Sequence, residues 1–88
     1  MSLFDSISEA VNNRVDELNK KIEAEQAEAE RQMAEAKTEK AKADIQSQMK
    51  SNVEDLQKKM DETKKKLDDA KEAGESRLAE IRDSLTGS

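Results

Sequence analysis

The chain has 88 residues, 42% of them charged and 33% hydrophobic, with a net charge of −5 and one aromatic residue, Phe4. It contains neither cysteine nor histidine, which excludes disulfides, thiolate or imidazole metal sites, and the familiar nucleophile–histidine pairs of covalent catalysis. The acidic balance opposes phosphate binding, so no nucleic-acid partner is expected. Apolar runs never exceed two residues, as at Leu3-Phe4 and Ala10-Val11, so the sequence carries no transmembrane span and no signal-peptide core. The default expectation is a cytoplasmic protein.

Helix is the only regular structure that the composition supports. No glycine or proline interrupts residues 5–73, and Ala, Glu, Lys, Gln, Met and Leu, all strong helix formers, dominate. The first predicted element is helix A, about residues 5–46. Its start is marked by a capping box at Ser6-Ile7-Ser8-Glu9, with an earlier alternative at Ser2-Leu3-Phe4-Asp5. Its large apolar residues, Leu3, Phe4, Ile7, Val11, Val15, Leu18 and Ile22, recur in steps of three and four, as one buried stripe requires. Between Glu23 and Asp44 that stripe thins to Ala29, Met33, Ala36 and Ala43, which permit close helix approach but bury little.

A turn is expected at about residues 47–52, where Ser47, Ser51 and Asn52 interrupt the Ala/Glu/Lys texture and Ser51-Asn52-Val53-Glu54 forms a second capping box. Against it, Ile45, Met49 and Val53 keep helical spacing straight through. Helix B then spans about residues 53–86 and carries Val53, Leu56, Met60, Leu67, Leu78, Ile81 and Leu85. Gly74 is a weak point, because glycine costs about 1 kcal/mol inside a helix. Gly87 offers a C-terminal cap.

Antiparallel helices place residues of constant number sum at the same height. A sum of 96 pairs Val11 with Leu85, Val15 with Ile81, Leu18 with Leu78, Ala29 with Leu67, Ala36 with Met60 and Ala43 with Val53. It matches a stutter at Leu18-Ile22-Gln26 with one at Leu78-Gly74-Ala70. It also sets the acidic block Glu23, Glu25, Glu28, Glu30 and Glu35 opposite Lys64, Lys65, Lys66 and Lys71, a charge pattern that favours antiparallel over parallel pairing. The same register leaves Leu3, Phe4 and Ile7 with no counterpart, an apolar overhang expected to pack on a second hairpin in a dimer, or else to dock into a protein partner's groove or insert shallowly into lipid.

The expected fold is therefore all-α: a single domain, residues 1–88, forming an antiparallel, coiled-coil-like helical hairpin. Hydrophobic burial in a lone hairpin falls well short of the ordering entropy, so two hairpins are expected to dimerise into a four-helix bundle. The alternative is one long continuous helix forming an antiparallel coiled-coil dimer, the domain-swapped form of the same pairing.

Carboxylate pairs such as Glu25/Glu28 and Asp68/Asp69 read as solvated helix face, since acid–base catalysis needs them desolvated in a cleft. Lys64-Lys65-Lys66, flanked by Asp61, Glu62, Asp68 and Asp69, reads the same way. No catalytic, cofactor-binding or metal-ligating residue is expected, and no cofactor. The expected function is that of a non-enzymatic structural or adaptor protein acting by self-association and helix-mediated partner binding. Its surface comprises Leu3, Phe4, Ile7, Val11, Val15, Leu18, Ile22, Val53, Leu56, Met60, Leu67, Leu78, Ile81 and Leu85. Two other classes compete: an amphipathic protein coating lipid or hydrophobic particles, or protecting against stress, and a small acidic protein inhibitor. The narrow stripe and the acidic charge disfavour a membrane surface.

Overall fold

Two chain reversals and three helix starts set the architecture, which the computed structural model describes for residues 2–86. Helix α1 spans Leu3–Glu35. It begins at the earlier of the two caps: the Ser2 hydroxyl oxygen accepts the Asp5 N–H at 3.1 Å, with Asp5 itself in the first turn. A side-chain acceptor and a negative charge here satisfy the open N–H groups and the positive end of the helix dipole. The helix stops where Ala36 turns extended, φ −68°, ψ 137°.

Helix α2 spans Glu39–Lys71. Its cap is Thr38, extended at φ −133°, ψ 155°, whose side-chain oxygen accepts the Ala41 N–H at 3.0 Å. The reversal thus lies at residues 36–38 rather than at the predicted 47–52. Ser47, Ser51 and Asn52 sit in the middle of α2, and Ser51 caps nothing. The unbroken spacing of Ile45, Met49 and Val53 was the correct signal there, because it continues as Leu56, Met60, Thr63, Leu67 and Ala70 in alternating threes and fours.

A second reversal follows at residues 72–74. The Glu72 N–H folds back onto the carbonyls of Asp69 and Ala70, closing α2, and the Leu78 N–H donates to the Gly74 carbonyl at 3.0 Å, opening α3, Glu75–Thr86. Helix B of the sequence reading is therefore the lower part of α2 plus a separate short helix. Gly74, the expected weak point, lies in this break, and nothing approaches within 4 Å of where its Cβ would be. The expected cap at Gly87 lies outside the described residues.

Helices α1 and α2 are 33 residues each, about 50 Å at 1.5 Å per residue, which accounts for overall dimensions of 57 × 18 × 17 Å. They run antiparallel with number sums near 77, as the Glu25–Asn52 hydrogen bond marks, instead of 96. Moving the turn by about ten residues shifts the sum by twice that. Helix α3 climbs back from the second reversal: Ser84 and Leu85 share a cleft with Lys59, Glu62, Thr63 and Lys66 of α2. It consequently runs parallel to α1, beside that helix's first four turns.

The core is densest at this three-helix end. Ile7, Val11, Ala70 and Ile81 form a buried cluster, flanked by Leu3, Phe4, Val15, Leu67, Ala73, Leu78 and Leu85. Ile7 is 0% exposed and the largest fully buried side chains are Ile7, Leu18 and Val11. Each such side chain contributes about 1.5–3 kcal/mol on burial. The predicted overhang at Leu3, Phe4 and Ile7 is thus covered by the chain's own α2 and α3, because the second reversal brings α3 under the start of α1.

Among the described residues no helix is long and apolar enough to cross a membrane.

Candidate functional site

Every residue assigned to association by the sequence is buried or half-buried, none fully exposed. The structure divides them by height. Leu3, Phe4, Ile7, Val11, Val15, Leu67, Leu78, Ile81 and Leu85 meet in the three-helix end. Leu18, Ile22 and Val53 are buried, and Leu56 and Met60 half-buried, farther up the α1–α2 hairpin.

Above the end of α3 the hairpin has only two layers. One groove runs along it between α1 and α2, opening into two clefts. The lower cleft, about 620 Å³, is lined by Ala10, Asn13, Arg14 and Glu17 of α1, Lys59, Glu62, Thr63 and Lys66 of α2, and Ser84 and Leu85 of α3. The upper cleft, about 420 Å³, is lined by Glu25, Glu28, Ala29 and Gln32 of α1 with Asp44, Ile45, Gln48, Met49 and Asn52 of α2.

These linings are translations of one another. Adding fourteen to 45, 48, 49 and 52 gives 59, 62, 63 and 66; adding fifteen to 10, 13, 14 and 17 gives 25, 28, 29 and 32. Four turns of α-helix take 14.4 residues, so both shifts return to nearly the same face. The two clefts belong to a single groove, and α3 occupies only its lower end.

Polar residues within the seam were not apparent from the sequence. Asn52 donates its side-chain amide to the Glu25 carboxylate at 2.8 Å, partly buried and linking α1 to α2. Thr63, 8% exposed, turns its hydroxyl back onto the Lys59 carbonyl at 2.8 Å, which satisfies it without an interhelical partner. Ala29 and Ala70 are each 3% exposed and allow close helix approach. The signal for Asn52, Thr63 and Ala70 was the alternating step of α2, which places them on or beside the seam, and their polarity or small size masked it.

The ion pairs of the surface are local. Arg14–Glu17, Lys42–Glu39, Lys71–Asp68 and Arg77–Glu80 are pairs within one helix. Arg31 holds both Glu28 and Glu35 on α1, and its hydrogen bond to Glu28 draws that carboxyl below the usual range while raising its own affinity for a proton. The acidic block of α1 thus stands beside residues 42–54 of α2 rather than beside Lys64, Lys65, Lys66 and Lys71, and its arginine contacts are intrahelical.

An all-helical, up-down-up arrangement with a half-filled groove is the class of structure these elements define. No protein-family model, no curated protein and no solved structure matches the chain.

Proposed function

We propose that this is a non-enzymatic structural or adaptor protein that works by packing other helices against its hairpin. The observation that carries this reading is the groove itself: a helix, α3, already sits in its lower end, while the equivalent upper cleft four turns away has only two helices around it. Half-buried Ile45 and Met49, with Ala29, line the upper cleft and supply apolar surface for a further helix. Recognition by a helix laid in a groove rests on such repeated apolar anchors.

Self-association of two hairpins into a four-helix bundle is the competing form of this function, and the carboxylates of the upper cleft oppose it. Coating lipid would require the stripe to face outward. With Ile7, Val11 and Leu18 enclosed, that state demands opening of the hairpin, which favours helix packing over surface activity.

Light scattering coupled to circular dichroism tests the reading. The expected result is a strongly helical chain in plain buffer that gains no helix on adding phospholipid vesicles. A chain disordered in buffer that becomes helical only on vesicles would overturn it.

A further inference from the structure

We propose that the upper cleft binds a basic amphipathic helix of a partner protein, laid in the α1–α2 groove as a continuation of the line of α3. This rests on the helix-packing reading above and adds the chemistry of the partner.

The argument is a comparison of two equivalent sites in one groove. The lower cleft contains three bases, Arg14, Lys59 and Lys66, and two acids, Glu17 and Glu62, a balance of 3 − 2 = +1. The upper cleft contains no base and three acids, Glu25, Glu28 and Asp44, a balance of 0 − 3 = −3. Geometry is repeated and charge is reversed. Both clefts have apolar lining: Ala10 and Leu85 below, and buried Ala29 with half-buried Ile45 and Met49 above. What distinguishes the upper cleft is its charge: Ala29, Ile45 and Met49 set among three carboxylates complement a helix with an apolar stripe and flanking lysines or arginines.

The roles of the three carboxylates differ. Glu25 is engaged by Asn52 and Glu28 by Arg31, whereas Asp44 makes no hydrogen bond or ion pair among the described residues. Asp44 is therefore the carboxylate with the most to gain from an incoming cation. A second copy is a poorer occupant. Two-fold pairing of upper clefts would bring these acids against the same acids of the partner copy, and like charges across an interface are unfavourable.

The test uses two labelled peptides of about 18 residues with the same leucine–alanine stripe, one flanked by lysines and arginines and the other by glutamates. Binding to the full chain is read by fluorescence anisotropy. The basic peptide is expected to bind at least ten-fold more tightly than its acidic twin, to weaken as salt is raised, and to lose its advantage on Asp44→Lys. Met49→Lys should weaken both peptides, and Gln57→Lys, on the exposed back of α2, neither.

Equal binding of the two peptides, or a ratio unmoved by Asp44→Lys, would overturn the basic-helix inference and leave the helix-packing reading standing. A chain that dimerises and is returned to monomer by Met49→Lys would overturn it in favour of a second copy. Failure of both peptides with a monomeric chain would remove the inference and the reading together. Asp44 is exposed, so its substitution probes charge without disturbing the core.

Discussion

The Asn52 side-chain amide on α2 and the Glu25 carboxylate on α1 meet at 2.8 Å, partly buried between helices whose remaining seam is largely aliphatic or alanine. A hydrogen bond to a charged group is worth about 1.5–3 kcal/mol, but its larger effect is on alignment. Sliding α1 past α2 by one turn would leave both groups half-buried and unpaired. Replacing Asn52 with alanine is expected to lower stability in urea unfolding by about 1–3 kcal/mol. The paired change Glu25→Leu with Asn52→Leu should recover or exceed the original stability and produce mixed oligomers by gel filtration, as happens when a register-setting polar contact is removed. A double-leucine protein that stays uniform would show that the aliphatic seam alone sets the register.

The position of the first reversal can be tested at two hydroxyl residues. Thr38 closes the α2 N-terminus by accepting the Ala41 N–H, whereas Ser51 is exposed in the helix interior. Thr38→Ala should cost about 1 kcal/mol of stability. Ser51→Ala should be neutral or stabilising by a few tenths of a kcal/mol, since alanine is the better interior residue. Thermal melts followed by circular dichroism distinguish this from a turn at 47–52, for which the order of the two effects would reverse.

Those two residues also show why the helices were legible in the sequence and the turn was not. The steps of three and four from Ile7 to Ile22, and again from Met49 to Ala70, reflect a real buried stripe, and helix content followed from them. A single capping threonine in Glu35-Ala36-Lys37-Thr38-Glu39 does the work of the turn without glycine, proline or a serine cluster, so it was outweighed by the more conspicuous Ser51-Asn52-Val53-Glu54. Misplacing the turn moved the number sum from near 77 to 96 and hid the Glu25–Asn52 contact. The 96 register nonetheless sets Ile81 and Leu85 beside the first turns of α1. They arrive there because a second reversal sends α3 up parallel to α1, and local pattern alone does not reveal the direction of a short helix after a break.

Ile7 and Ile81 lie in the same buried cluster although 74 positions separate them, with exposures of 0% and 6%. Substituting either by alanine should cost about 2–5 kcal/mol. Because both changes open one shared space, the double variant should lose less than the sum of the two. Additive losses in denaturant unfolding would mean that α3 does not cover the start of α1.

Gly74 has open space where a Cβ would project, and its φ lies outside the left-handed range. Gly74→Ala should therefore stabilise the fold by about 0.4–1 kcal/mol, chiefly by restricting the unfolded chain. The measurement is the urea midpoint at unchanged slope. A lowered midpoint would show that the break at 72–74 needs glycine's freedom.

Acid titration bears on Glu28, whose carboxyl is held below its ordinary range first of all by the hydrogen bond from Arg31, with the guanidinium charge acting in the same direction. A group whose folded value is depressed binds protons more readily in the unfolded chain. Its contribution is therefore fully present above the unfolded value and is lost as pH falls through the folded one. Both side chains are exposed, so the effect belongs to the surface of α1 and not to the core. Arg31→Ala should raise the Glu28 midpoint toward the ordinary carboxylate range, read by carboxyl-carbon NMR, while the melting temperature at neutral pH changes little. A Glu28 midpoint indifferent to Arg31→Ala would mean that another charge, or the helix itself, holds the proton off.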